Sequence, residues 1–175
     1  MKKILGLAAC VVVLSTAGSA VAGLIPELAA LEPFVGRTYE GTFTDAASGR
    51  QMIDVQTWEA ILGGKAVRTT HSLNDGEYGG ETVIYWDPKA ETLAYFYVTT
   101  GGFVTRGTMV AEGDSFTALE SVEGDAGGIT EVRSTSVIDP DGGMRLSSEY
   151  RKNGEWVPGH EIIYVENPEA EVVFE

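Results

Sequence analysis

Cysteine is almost absent from this chain, and the position of the single one limits its chemistry. Cys10 lies within the first 22 residues, which carry the features of an export signal. Met1-Lys2-Lys3 is basic, residues 4–14 form an apolar stretch, and Ala20-Val21-Ala22 is typical of a cleavage site. We therefore expect a signal peptide over 1–22 and a mature domain over 23–175 that has no disulfide, thiolate nucleophile or cysteine-based metal site.

The leader also contains a lipobox-like sequence, Leu7-Ala8-Ala9-Cys10, which would make Cys10 a lipidated N-terminus. The apolar stretch before Cys10 is short, and residues 11–22 stay apolar instead of forming a polar tether. Ordinary cleavage after Ala22 is therefore our prediction, and it assigns the mature protein to the periplasm or the exterior of the cell.

Basic residues are scarce as well. The chain has 12 Lys and Arg against 26 Asp and Glu, and two of the lysines lie in the predicted leader, so the mature charge is −16. A surface this negative repels phosphate backbones and anionic lipids, so we predict no nucleic-acid partner and no membrane insertion after signal removal. The negative charge is compatible with cationic partners or substrates. It can also be explained by solubility alone.

Helical periodicity is nearly missing from the mature chain. Leu24, Leu28 and Leu31 recur at i, i+4 and i+7, with Pro26 near the start and Pro33 at the end, which predicts a short amphipathic helix or a loosely packed entry segment. Because no long helical pattern follows, βαβ crossovers and a parallel sheet are excluded.

Turn signals, in contrast, recur roughly every 8–12 residues after residue 37 and separate segments rich in Thr, Val, Ile and aromatic residues. The predicted strands are 37–44, 51–62, 65–73, 79–86, 92–100, 103–111, 115–122, 129–138, 143–151 and 155–165. Ten such strands in one open sheet would leave two exposed edges, and closing the sheet on itself removes both. We therefore predict an all-β fold: a closed or nearly closed, antiparallel up-and-down barrel of about ten strands, with a short N-terminal helix. A two-sheet sandwich is the alternative.

Alternation along the strands predicts which side chains point inward. In the last strand Trp156, His160, Ile162 and Tyr164 share one parity and are assigned to one face. Glu59 shares parity with neighbouring aliphatic residues of its strand, so it either points inward or lies at an exposed rim.

Three segments resemble the calycin-type barrels, which include lipocalins, fatty-acid-binding proteins and similar bacterial families of unknown function. They are the first strand with its approach, 34–43, the hairpin Tyr85-Trp86-Asp87-Pro88 and the ending Asn153-Gly154-Glu155-Trp156. The resemblance implies a ligand-holding barrel. The Gly-x-Trp of lipocalins and the Gly-x-Trp-x-Gly-x-Gly of nitrobindin-like haem barrels are replaced by Gly36, Tyr39 and Gly41 in looser spacing.

A ten-strand barrel encloses space that its own side chains do not fill, and this lumen is the predicted site. Aromatic walls suit an apolar or planar ligand, which tyrosine hydroxyls and histidines would orient. The candidate ligand-binding residues are His71, His160, Trp58, Tyr95, Tyr97 and Tyr150.

Motifs for catalysis are lacking: there is no Gly-x-Ser-x-Gly elbow, phosphate-binding loop or dinucleotide fingerprint. Two histidines without a mature cysteine also make a zinc site unfavourable, so no metal, catalytic residue or cofactor is predicted. We predict an exported protein that binds a small apolar or aromatic molecule. Two alternatives stay open: a haem protein or enzyme that uses an inward histidine, and an envelope interaction protein without a ligand.

Overall fold

The computed structural model describes residues 23–45, 48–124 and 126–174, so the predicted signal peptide and Cys10 lie outside the described residues. Ten β-strands account for most of the described chain. They are Thr38–Thr44 (β1), Gln51–Ile61 (β2), Ala66–Leu73 (β3), Tyr78–Asp87 (β4), Thr92–Thr99 (β5), Val104–Glu112 (β6), Ser115–Glu123 (β7), Ile129–Ile138 (β8), Met144–Lys152 (β9) and Glu155–Glu166 (β10).

The ten strands form a closed antiparallel barrel. Each strand pairs with its neighbours along the chain, and β1 closes the barrel by pairing with β10, where Tyr39 lies opposite Glu166. The predicted ten-strand barrel is confirmed, and the sandwich alternative is excluded. All ten predicted strands are present, with bounds that agree to within about one residue, because glycines and Asx residues mark the tight turns so regularly.

Helical structure in the described residues is limited to three short 3-10 segments, Pro26–Leu31, Leu62–Gly64 and Asn74–Gly76. The first occupies the place where the leucine spacing predicts an amphipathic helix. Its hydrogen bonds run from Leu28 N to Ile25 O and from Glu32 N to Ala29 O, so it is the tighter helix type and not an α-helix. None of the described helices is long and apolar enough to cross a membrane.

One end of the barrel is filled by a hydrophobic core. Leu28, Leu31 and Phe34 from the N-terminal segment are fully buried there. The Phe34 ring lies 4.9 Å from the Trp58 ring and 5.8 Å from the Phe116 ring, measured between centroids. This N-terminal segment therefore closes the end that carries the β2–β3, β4–β5, β6–β7 and β8–β9 connections, and we call it the closed end.

Glu59 lies on the outer face of β2, so the inward orientation considered from its parity is wrong. Its carboxylate accepts a hydrogen bond of 2.5 Å from Arg68, and Ile53 of the same parity is 46% exposed. The alternate side chains of β2 face the lumen instead. They include Asp54, Gln56 and Trp58, which are all buried. The outer wall of this strand is therefore more apolar than alternation alone indicates.

Candidate ligand-binding lumen

The lumen contains two adjoining cavities. The larger, which we call the outer cavity, has a volume of about 540 Å³ and lies at the open end, among the β1–β2, β3–β4, β5–β6, β7–β8 and β9–β10 hairpins. The smaller, the inner cavity, has a volume of about 250 Å³ and lies between the outer cavity and the closed-end core. His71, Tyr97 and Glu120 line both cavities and mark their common boundary.

A β-bulge in β10 turns His160 into the outer cavity. The pairing register between β10 and β9 shifts between Pro158 and Glu161, and this extra residue reverses the inward parity of the strand. Gly159 is required at the bulge, because a Cβ there would overlap the Ser148 hydroxyl. The bulge is anchored by the His160 backbone N–H, which donates to Ser148 Oγ over 2.9 Å.

The same bulge corrects the predicted face of Trp156. Residue 156 does not share the lumen face with His160, Ile162 and Tyr164, because the bulge separates it from them. The Trp156 ring instead lies beside Arg133, whose guanidinium carbon is 4.8 Å from the ring centroid in a cation–π contact.

A chain of hydrogen bonds runs through His71 at the boundary of the cavities. Its Nδ1 lies 2.9 Å from Asp54 Oδ1, and its Nε2 lies 2.6 Å from the hydroxyl of Tyr97. A carboxylate only accepts, so Nδ1 carries the proton that is donated to Asp54. The Tyr97 hydroxyl lies 2.9 Å from that of Tyr78, and Tyr164 donates to the second oxygen of Asp54 over 2.5 Å. The imidazole of His71 is thereby fixed in orientation.

His160 has a simpler environment in the wall of the outer cavity. Its Nδ1 lies 2.5 Å from the Tyr150 hydroxyl, and its ring centroid lies 4.9 Å from that of Phe43. Burial lowers the pKa of His160 below 6.5, so the imidazole is neutral at pH 7. Its Nε2 has no hydrogen-bond partner among the described residues and is not sealed from the cavity.

Glu120 is the carboxyl group that projects into the lumen from β7. Its Oε2 accepts a hydrogen bond of 2.5 Å from the Thr105 hydroxyl, and the Tyr95 hydroxyl is a second donor. Burial raises the pKa of Glu120 above 4.5, and these two hydrogen bonds offset only part of that effect. The carboxyl group is therefore held beside the cavities, and no lysine or arginine of the described residues forms an ion pair with it.

The lumen tyrosines remain protonated near neutral pH. Burial raises the pKa of Tyr78, Tyr95, Tyr97 and Tyr150 above 10, so each phenol is available as a hydrogen-bond donor.

The structure brings the six predicted ligand-binding residues into the lumen at two levels. His71, Tyr97, Tyr150 and His160 line the outer cavity. Trp58 and Tyr95 line the inner cavity, and the Trp58 indole N–H donates to Gln56 Oε1 over 3.0 Å. Trp58 also packs in the closed-end core. The two histidines, Tyr97 and Tyr150 are therefore the predicted residues that surround the outer cavity.

Sequence reasoning missed the polar residues of the lumen, Asp54, Gln56, Tyr78, Thr105 and Glu120. A signal for them exists: Asp54 and Gln56 share parity with Trp58, and Glu120 shares parity with the buried Phe116 and Ala118. Among the described residues, no group of three or more His, Cys, Asp or Glu side chains is arranged to hold a metal ion.

No family model and no curated protein matches this chain. Solved structures do match it. One is "Crystal Structure of Rv2717c from M. tuberculosis", with a TM-score of 0.63 and 16% sequence identity over 82% of this chain and 99% of that chain. At that identity the likeness shows a shared barrel fold alone.

Proposed function

We propose that this protein is an exported, calycin-like barrel that holds a small apolar or aromatic molecule in its outer cavity. The observation that carries the proposal is the cavity itself. Its volume of about 540 Å³ falls within the range of roughly 300–1,000 Å³ typical of small-molecule sites. It is also open at one end, which provides a route of entry.

The walls of the outer cavity favour an apolar body with a few polar substituents. Phe43, Met52, Phe103 and Val132 contribute apolar surface from different strands and hairpins. The phenols and imidazoles of the cavity are fixed in place, because hydrogen bonds tie His71 to Tyr97, Tyr97 to Tyr78, and His160 to Tyr150. A preformed site of this kind loses little conformational entropy when it binds a ligand.

The proposal is tested by filling the cavity with a side chain. Val132 and Val137 lie on the same strand, β8, but Val132 lines the outer cavity and Val137 is 41% exposed on the outer wall. We expect the wild-type mature protein and Val137→Trp to retain a small molecule from a lipid or metabolite extract, detected by mass spectrometry after gel filtration. Val132→Trp should lose it.

Repeated recovery of empty wild-type protein from extracts of several sources would contradict the proposal. That outcome would favour an envelope interaction protein without a ligand, which the acidic surface of this chain also supports. Equal retention by both tryptophan variants would show that the captured molecule lies outside the lumen.

A haem protein is the second candidate, and the free Nε2 of His160 is the observation that favours it. The residues fit such a group in part: the imidazole is neutral, Tyr150 holds its Nδ1, and Phe43 stacks beside the ring. Bound haem would supply ligand-binding or redox chemistry at its iron. Titration with hemin tests this candidate, because a Soret band that shifts in His160→Ala is expected, and an unchanged spectrum would exclude axial ligation by His160.

A further inference from the structure

Glu120 stands out because the lumen supplies it with neutral donors only. The hydroxyl groups of Thr105 and Tyr95 donate to its carboxylate. Two other carboxyl groups need to be considered. Asp54 is bound by His71 and by Tyr164. Asp45, at the mouth of the outer cavity, accepts hydrogen bonds from the backbone N–H and the hydroxyl of Ser48. Glu120 is therefore the lumen carboxyl group that still has capacity for a charged partner.

The protein's own cations are placed on the outside of the barrel. All seven arginines form ion pairs with acidic residues, and their side chains are 39–62% exposed. These pairs are Arg37–Glu166, Arg50–Glu77, Arg68–Glu59, Arg106–Glu123, Arg133–Glu149, Arg145–Asp139 and Arg151–Glu131. Among the described residues that line the two cavities, Lys152 is the only lysine or arginine, and it is an exposed residue at the end of β9.

The surroundings of Glu120 also suit an organic cation. Tyr95 and Tyr97 lie beside it in the lumen, and a cation is attracted to the faces of aromatic rings when water is excluded. The inner cavity below adds further polar side chains to the lumen, among them those of Gln56, Ser134 and Ser136.

We infer that the preferred ligand of the lumen is an organic cation with an aromatic body, whose ammonium group pairs with Glu120. This inference rests on the proposed function and names the chemical class of the ligand. The aromatic body lies in the outer cavity, and the ammonium group points to the boundary of the two cavities. The overall negative charge of the mature chain raises the local concentration of such ligands at the open end.

The pairing has a measurable consequence for protons. Burial raises the pKa of Glu120 in the free protein, and a bound ammonium group stabilises the ionised carboxylate and lowers that pKa. Where the free carboxyl group is protonated, binding of the cation releases a proton. Calorimetry in two buffers of different ionisation enthalpy detects this release.

Three probes with the same aromatic body test the inference: 2-naphthylmethylammonium, 2-naphthylmethanol and 2-naphthoate. Each is titrated by calorimetry at pH 7 into the wild-type mature protein, Glu120→Gln and Glu123→Gln. Glu123 is the matched control, because it lies on the same strand but its side chain is 65% exposed beside Arg106. Circular dichroism and a melting curve establish that each variant is folded.

We expect the wild-type protein to bind the ammonium probe at least about tenfold more tightly than the alcohol, a difference of about 1.4 kcal/mol. Glu120→Gln should abolish that preference and leave the affinity for the alcohol within about threefold, and Glu123→Gln should behave as the wild type.

Three outcomes overturn the inference without removing the proposed function: the alcohol binds as tightly as the cation, the carboxylate binds most tightly, or Glu120→Gln keeps the preference for the cation. Binding of none of the three probes would overturn the inference, whereas the proposed function fails only if the wild-type protein is also recovered empty from the extracts. If Glu120→Gln fails to fold, the comparison of the three probes in the wild-type protein still shows whether the lumen prefers the cation.

Discussion

Asp54 Oδ1 lies 2.9 Å from His71 Nδ1 inside the lumen, and this contact joins the buried Asp54 of β2 to the half-buried His71 of β3. Tyr164 of β10 donates to the other carboxylate oxygen, so Asp54 connects three strands on either side of the barrel closure. The carboxylate is 5% exposed and accepts from both partners. It therefore both stabilises the closure and fixes the imidazole that faces the cavities.

Replacing Asp54 by Asn should destabilise the barrel, because the amide cannot accept on both sides. One of its atoms becomes a donor that faces an N–H or O–H donor, and an unmatched buried polar group costs about 1–3 kcal/mol. Urea unfolding followed by tryptophan fluorescence measures this change. The exposed Glu161→Gln on β10 is the control and should change the free energy of unfolding by less than about 0.5 kcal/mol. Equal stability of both variants would refute the structural role of Asp54.

Truncation of Phe34 to Ala should open the closed end of the barrel. The side chain is fully buried against Tyr39, Trp58 and Phe116, and such truncations cost about 3–5 kcal/mol. We also expect tryptophan emission to shift to the red as water reaches Trp58. Leu119→Ala, on the outer wall at 50% exposure, should have little effect on either measurement. A loss below about 1 kcal/mol for Phe34→Ala would contradict the closed-end assignment.

His160 should make stability depend on pH between its two pKa values. Burial lowers the folded pKa below the ordinary 6.5, so the unfolded state binds more protons in that interval. The stabilisation is present above pH 6.5 and is lost as the pH falls through the folded pKa. Nitrogen-15 NMR titration of the imidazole measures the folded pKa, and unfolding curves of His160→Gln should lack this part of the pH slope. A His160 pKa at or above 6.5 would contradict the burial in the lumen.

Gly159→Ala should disturb the β10 bulge, because the added methyl group overlaps the Ser148 hydroxyl and approaches Tyr150 Cζ to 2.9 Å. We expect a loss of about 1–3 kcal/mol, as for other overpacked sites, together with a changed NMR shift of the His160 ring. Gly23→Ala has no atom within 4 Å of the new methyl group and is the control. Unchanged stability and an unchanged His160 spectrum in Gly159→Ala would show that the bulge does not position His160.

The strands of this fold could be predicted from sequence because their ends carry local signals. Turns such as Asn153-Gly154 place positive-φ residues at fixed points, and β-rich segments fill the intervals between them. Closure could also be predicted, since an open meander of this length would leave two exposed edges. The helix type of 26–31 could not be predicted from the leucine spacing, because both helix types place such residues on similar faces over so few turns.

The site was harder to predict because the lumen is more polar, and the outer wall more apolar, than simple alternation assumes. Asp54 and Glu120 face inward, and Ile163 on β10 is 61% exposed. Alternation also fails at the β10 bulge, where one additional residue separates the face of Trp156 from that of His160. The adjacent Pro158 and Gly159 are the local features of β10 that mark that change.

The occupancy of the outer cavity is the central claim, and a crystal structure with a brominated ligand tests it most directly. Crystals of the mature protein grown with 6-bromo-2-naphthylmethanol would locate the bromine by its anomalous signal. The account predicts a bromine peak inside the barrel, among Phe43, Phe103 and Val132, and no such peak in Val132→Trp. A peak only on the outer wall, or an empty lumen at saturating ligand, would contradict it.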